Sequence, residues 1–169
     1  MNLSIRKMTV EDVTTVVDLD QKSFSLPWPE RSFRFELTDN PASRCWVAER
    51  DGNVVGMIVV WLIVEEAHVA TIATHPDYRR QGIGRRLLAY ALRHLMQDGA
   101  RSSFLEVRES NIAAQEMYRK FGYEATGRRR RYYRDNDEDA ILMSLDSLDA
   151  ERLIVDEERS AWDKDTQNG

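Results

Sequence analysis

A chain of 169 residues that is 42% apolar and 31% charged, with a net charge of −5, suits one globular domain with a real core. The longest apolar run, MIVVWLIV at residues 57–64, is far too short to span a bilayer, and MNLSIRKMTVEDV at the start lacks the apolar stretch of a signal peptide. Cys45 is the only cysteine, so no intrachain disulfide can form and a reducing cytoplasm is the expected setting. Within the strand-like RCWVAE it reads as buried packing, with no neighbouring base to make it a nucleophile.

Along the chain, LSIRKM (residues 3–8) alternates as a strand. Thr9, with Asp12 three residues on, caps a helix whose apolar positions Val13, Val16, Val17 and Phe24 fit a helical period loosely. Pro29 suits the first turn of a second short helix, with Glu30 near its positive end. RCWVAER and VVGMIVVWLIV are strands joined by the hairpin turn DGN. AHVATIATH is another strand, stopped by Pro76, and Glu65 and Glu66 before it form an exposed turn. Ile83, Leu87, Leu88, Ala91, Leu92 and Leu95 make the apolar stripe of a helix that Gly99 ends. SSFLEVR is a strand, NIAAQEMYRKF a helix closed by Gly122, and YEATGRRRRYYR and DAILMSL a last pair of strands around DNDE. This order predicts a mixed α/β domain over residues 1–145, with residues 67–107 as a parallel crossover and ligands at the carboxyl ends of the strands. Residues 146–169 form an acidic tail, disordered or partly helical through Leu148, Leu153, Ile154 and Trp162.

The charge is unevenly placed. Residues 146–169 carry eight acids and three bases, which accounts for the whole net charge of −5. Residues 78–134 hold fourteen Arg or Lys against five Asp or Glu, which points to an anionic partner. The densest part is DYRRQGIGRRLL, residues 77–88, where two glycines and four arginines stand at the head of a helix. A helix's first turn has unpaired N–H groups and partial positive charge, and a diphosphate can sit there if no side chain blocks it. Gly82 and Gly84 leave the way open, and Arg79, Arg80, Arg85 and Arg86 add charge.

Arg79 to Gly84 resembles the R/Q-x-x-G-x-G/A signature of the GCN5-related N-acetyltransferase (GNAT) superfamily. ATIATHPDYR looks like that family's bulged cofactor strand. LEVRESNIAAQEMYRKFGY, PW at residues 27–28 and RRYY…EDAILM are similar to the bacterial RimI-type ribosomal-protein-alanine N-acetyltransferase group. The resemblance covers residues 3–145 and leaves out the acidic tail. It implies a mixed, mostly antiparallel central sheet of about seven strands with helices on both faces and a parallel βαβ cofactor unit. It also implies acetyl-coenzyme A as co-substrate, no metal, and a protein N-terminus as acceptor, that of a ribosomal protein beginning with alanine. A monomer or weak dimer is expected, without membrane contact or direct nucleic-acid binding.

Carried over residue by residue, Ile72, Ala73 and Thr74 match the strand that pairs with the pantetheine arm and acetyl group. Arg79, Arg80, Gln81, Gly82, Ile83, Gly84 and Arg85 match the pyrophosphate turn, and Asn111 a cofactor-contacting asparagine. Glu106 matches the general base and Tyr118 the general acid. Pro27, Trp28, Tyr132 and Tyr133 are expected to line the peptide groove.

The local pattern is consistent with these roles. Glu106 alternates with Phe104 and Arg108, opposite Leu105 and Val107, where a carboxylate is costly to bury unless partnered or protonated. A base of raised pKa is expected there, or else a glutamate paired with Arg108 or the arginine-rich region. Asn111, Ala114, Gln115 and Tyr118 share one helix face. Tyr118 can donate to a thiolate only with a modest shift, the alternative being a packed core aromatic. Acetylation of lysines or small amines, and a non-catalytic acetyl-coenzyme A sensor or RNA-binding module built on RRRRYYR, are the alternatives. His68, His75 and His94 lack metal spacing.

Overall fold

The computed structural model describes residues 3–153. Its strands are β1 (Leu3–Lys7), β2 (Ser43–Arg50), β3 (Asn53–Ile63), β4 (Glu66–Thr74), β5 (Ser102–Arg108), β6 (Glu124–Tyr133) and β7 (Glu138–Leu145). Its helices are α1 (Val13–Ser23), α2 (Glu30–Thr38), α3 (Ile83–Gln97) and α4 (Ile112–Lys120). The seven strands form one sheet in the order β1-β2-β3-β4-β5-β7-β6, antiparallel except for the pair β4 and β5. This is the expected mixed, mostly antiparallel sheet, and the α3 crossover joins its parallel pair.

The two faces of the sheet carry separate apolar clusters. On one face, Ile83, Leu87, Leu88, Leu92 and Leu95 of α3 and Tyr118 of α4 pack with Ile58, Val60, Leu105 and Val107. On the other, Val13, Val16 and Leu19 of α1 and Phe33 of α2 pack with Val47, Met57 and Val59. The capping at Thr9 is as expected, since its N–H donates to Asp12 at 2.8 Å; a short 3-10 turn, Val10–Asp12, intervenes before α1. Phe24 lies beyond α1 and is exposed, so the looseness of the apolar spacing there marks the helix end. Pro29 sits one position before α2, as its N-cap.

Packing runs on past residue 145. Leu148 and Leu153 are buried in the α3-side cluster, the Leu148 N–H donates to Arg101 O at 2.9 Å, and Arg93 donates to Leu153 O at 2.7 Å. A 3-10 turn, Ala150–Leu153, forms this end. The expectations for Ile154 and Trp162 lie outside the described residues. Among the described residues, no helix is long and apolar enough to cross a membrane.

One close approach escapes a sequence reading. Gly56 on β3 lies under α3, where an added Cβ would stand 2.9 Å from Ile83 Cγ2 and Leu87 Cδ1 and 3.3 Å from Ala73 O. Gly56→Ala therefore pushes α3 off the sheet and is expected to lower stability by about 1–3 kcal/mol, read as a drop in urea midpoint at unchanged slope.

Candidate active site

Two breaks in regular pairing open the site. The first is in β4. Val59 pairs with Thr71 but Val60 pairs with Val69, which leaves Ala70 as an extra, unopposed residue. A strand's side chains alternate, so one extra residue exchanges the faces beyond it. Ala67 and Val69 accordingly join the α3-side cluster, while Ala73 joins the opposite one. The second break lies between β4 and β5, which pair only from Glu66↔Ser102 to His68↔Phe104 and then part. A buried chain closes the joined end: Tyr123 Oη donates to Ser103 Oγ at 2.7 Å, and Ser103 Oγ donates to Ala67 O at 2.7 Å. Beyond it, Ile72, Ala73 and Thr74 have no β5 partner, so their backbone groups on that side are open to an extended ligand.

The chain then turns into α3. Arg80 (φ 64°) and Gly82 (φ 77°, ψ 12°) both take left-handed backbone, and Gly82 N-caps α3 without a side-chain cap. The first helical hydrogen bond is Arg86 N–H to Gly82 O at 3.0 Å, so the N–H groups of Gly82, Ile83, Gly84 and Arg85 have no intrahelical acceptor. A Cβ at Gly84 would meet Met117 Sδ and Thr74 Oγ1 at an ordinary 3.6 Å, so the fold itself does not forbid a side chain there. Arg79, Arg80 and Arg85 are exposed around the turn, whereas Ile83 points into the core. The Gln81 side chain is bonded to Arg50 at the end of β2, a further cation beside the turn that the sequence pattern did not single out. This bare backbone with convergent N–H groups and surrounding arginines suits a diphosphate.

Glu106 and Tyr118 lie on opposite faces of the sheet. Leu105 and Val107 join the cluster that contains Tyr118, which leaves Glu106 on the far side. Tyr133 of β6 interacts electrostatically with both. The surroundings of Glu106 are in part as expected, since the arginine-rich strand reaches it, but its hydrogen-bond partner is a histidine. His68 Nε2 lies 2.8 Å from Glu106 Oε2, and Arg129 Nε lies 3.8 Å from Oε1. The hydrogen bond from His68 outweighs burial and holds the carboxyl below its usual range, so a base of raised pKa is corrected to a carboxylate that stays ionised. Arg108 turns away to Asp135 (2.9 Å) and Glu138 (3.3 Å), and its guanidinium lies 4.0 Å from the centre of the Tyr133 ring.

Burial pushes the Tyr118 phenol upward. The proton is thus retained throughout the neutral range, and a thiolate in the same dry surroundings would be raised by the same cause. The shared helix face of α4 is partly as expected. Gln115 and Tyr118 are buried, and Asn111 is the exposed N-cap, accepting the Ala114 N–H at 3.2 Å. Gln115 Nε2 donates to Arg108 O at 3.0 Å and Glu109 O at 2.9 Å, fixing α4 to the end of β5.

The segments expected to line a groove meet on the Glu106 side. Ser25, between α1 and α2, is bonded to Asp135, between β6 and β7, and accepts from Arg108 Nη2 at 3.4 Å. Tyr133 is half-buried beneath Arg108, and Tyr132 is 48% exposed. Pro27 is exposed, while Trp28 packs on Phe33 at 5.3 Å and serves the α1-side core as well. Phe24 and Leu26, both exposed, add apolar surface that the sequence reading did not assign. RRRRYYR runs along the exposed edge strand β6. Among the described residues, no group of three or more His, Cys, Asp or Glu could hold a metal ion. Cys45 is buried, its thiol pushed up to about 11 chiefly by burial, as befits packing.

The Trp28 turn rests on Asp20, which is 1% exposed and accepts the Trp28 N–H at Oδ2 (2.7 Å), while Oδ1 has no partner. Burial pushes this carboxyl up to about 6. A folded value above the unfolded ~3.9 contributes stability that is present below pH ~4 and lost as pH rises through about 6. Asp20→Asn keeps an acceptor and removes the titration. Its stability relative to the parent is expected to rise by about 2–3 kcal/mol between pH 4 and pH 7, measured by urea unfolding across that range.

Comparison with known proteins agrees with this architecture. The family model described as "Acetyltransferase (GNAT) family" matches residues 13–123. The [ribosomal protein bS18]-alanine N-acetyltransferase of Escherichia coli K12 is 32% identical over 153 residues, covering 84% of this chain and 96% of that protein. The N-alpha-acetyltransferase RimI of Mycobacterium tuberculosis is 37% identical over 155 residues, covering 87% and 94%. The crystal structure of the E. coli ribosomal-protein-S18-alanine N-acetyltransferase superposes with a TM-score of 0.79 at 30% identity, covering 91% of this chain and all of that one. With its bulged fourth strand, parted parallel pair and glycine turn, the chain belongs to the acetyltransferase (GNAT) family and is similar within it to the ribosomal-protein-alanine N-acetyltransferases.

Proposed function

We propose that this protein transfers the acetyl group of acetyl-coenzyme A to the N-terminal α-amine of a protein, and that the acceptor is a ribosomal protein with N-terminal alanine. The observation that carries this reading is an ionised carboxylate, Glu106, on the groove side of the gap between β4 and β5, with the glycine turn at the far end of the same β4. The similarity to enzymes named for bS18 alanine acetylation supports the acceptor class.

The turn Arg79–Arg80–Gln81–Gly82–Ile83–Gly84–Arg85 would hold the diphosphate, and Ile72, Ala73 and Thr74 the extended arm, with Asn111 beside it. Backbone N–H groups of β4 would polarise the thioester carbonyl. Glu106, through a water, draws the proton from the incoming ammonium, and the freed amine attacks the carbonyl carbon. The C–S bond breaks as the C–N bond forms, and Tyr118 supplies a proton to the leaving sulfur. Pro27, Trp28, Tyr132 and Tyr133 border the acceptor, together with Phe24 and Leu26.

An α-amine, pKa ~7.8, is freed for about 3.5 kcal/mol less than a lysine side chain, pKa ~10.4. That difference favours chain termini with so weak a base. Mass spectrometry of a peptide library incubated with acetyl-coenzyme A tests the reading. Acetyl on the α-nitrogen of alanine-first peptides is the expected product. Acetyl confined to lysine Nζ, or none on any peptide, would overturn it.

A further inference from the structure

His68 is the residue of the site that no motif announced. Its ring lies between two aromatic side chains, stacked on Phe104 (centroids 4.2 Å, planes 10° apart) and edge-on to Trp61 (5.2 Å, 75°). The indole of Trp61 is itself fixed, its Nε1–H donating to Glu36 at 2.9 Å. Neither ring can slide without opening the packing, so the 2.8 Å approach of Nε2 to Glu106 is built in. With an ionised carboxylate on that side, Nε2 must carry the hydrogen. A neutral imidazole then has its lone pair on Nδ1, which makes no hydrogen bond with any described residue.

A carboxylate held below its usual range is a poor match for an ammonium near ~7.8, and an imidazole nitrogen is the intrinsically more basic acceptor. A carboxylate that fixes one ring nitrogen and steadies the imidazolium formed at the other is a well-understood arrangement for proton removal. We propose that His68 and Glu106 act as one proton-accepting unit, the carboxylate holding the imidazole by Nε2–H and the acceptor's proton coming to rest, through water, on Nδ1. This inference rests on the acetyl-transfer reading above.

The balance is simple. The ammonium gives one proton to Nδ1, leaving an imidazolium paired with the Glu106 carboxylate. The amine nitrogen then forms the C–N bond and the C–S bond breaks. The nitrogen's second proton replaces the one Tyr118 gives to sulfur, and the imidazolium returns its proton to solvent. Other charges facing the pair are Arg129, 3.8 Å from Oε1, and Tyr133, both on β6. Glu66, two residues before His68, lines the shallow pocket at Phe104. None of these changes in His68→Gln.

The test compares the parent with His68→Gln and His68→Ala, measuring kcat at saturating alanine-first peptide and acetyl-coenzyme A. His68→Gln keeps an N–H donor toward Glu106 but has no nitrogen lone pair to take a proton, so both variants are expected to lower kcat by about 10–100-fold. If His68 merely holds Glu106, His68→Gln restores kcat to within about threefold of the parent while His68→Ala does not; that result, or a parent-like kcat in both variants, overturns the proposal. An activity-independent arm uses 15N NMR of the histidine rings at pH 7.5. Hydrogen on Nε2 of His68 in the parent, lost as a preference in Glu106→Gln, supports the unit, and hydrogen on Nδ1 overturns it. Should the parent acetylate no N-terminal peptide, the acetyl-transfer reading fails while the NMR arm still decides the pairing.

Discussion

Glu106→Gln is expected to lower kcat by about 10²–10⁴-fold while leaving acetyl-coenzyme A affinity within about threefold of the parent. The amide keeps the size of the side chain, so the strand Ser102–Arg108 and its α3-side contacts remain. It removes the negative charge that draws the ammonium proton and steadies the ring of His68, 2.8 Å away. It also ends the attraction to Arg129 at 3.8 Å, whose guanidinium is more than half exposed and loses little. Steady-state kinetics and calorimetry separate the two quantities. A kcat within threefold of the parent would remove Glu106 from the chemistry, and a parallel loss of cofactor affinity would place it in binding instead.

Gly84→Asp is expected to divide stability from binding with opposite signs. The position is the second residue of α3, where an acid complements the free N–H groups and improves on glycine's helix propensity. The Cβ has ordinary contacts with Met117 and Thr74 at 3.6 Å, so the melting temperature should hold or rise. The same carboxylate would stand in the place of the diphosphate. At about 4 Å and an effective dielectric constant of 20, like charges repel by about 4 kcal/mol, so acetyl-coenzyme A affinity is expected to fall by about 10²–10³-fold. Calorimetry with a parallel thermal melt reads both. Unchanged affinity would mean that the phosphates lie elsewhere, and lost folding would mean that Gly84 serves packing.

Legibility in the sequence followed the range of the interaction. Strand SSFLEVR, the apolar stripe from Ile83 to Leu95 and the glycine stops at Gly99 and Gly122 are written in neighbouring residues, and periodicity finds them. The glycine turn is local too, so its place at the head of α3 could be read directly. His68 and Glu106 are 38 residues apart, and Ser25 and Asp135 are 110 apart. Nothing in either local pattern announces those pairs. The sign of the Glu106 shift went wrong for that reason: burial was visible in the alternation, but the imidazole that overrides it arrives from another strand. For Tyr118 the amphipathic spacing marks a face of α4 that can be buried, but not how completely α4 closes over the phenol. Gly56 and Asp20 are likewise set by what packs against them, not by their own neighbours.

The unopposed residue at Ala70 has a consequence for how this strand can vary. Substituting any side chain between Thr71 and Thr74 changes a contact, but losing a single position at 70 would turn that whole run over like a page. Ala73 would face α3, already crowded at Gly56, and the free edge of the strand would offer its alternate set of backbone groups to the thioester. Length, more than identity, is therefore what this part of the chain must preserve.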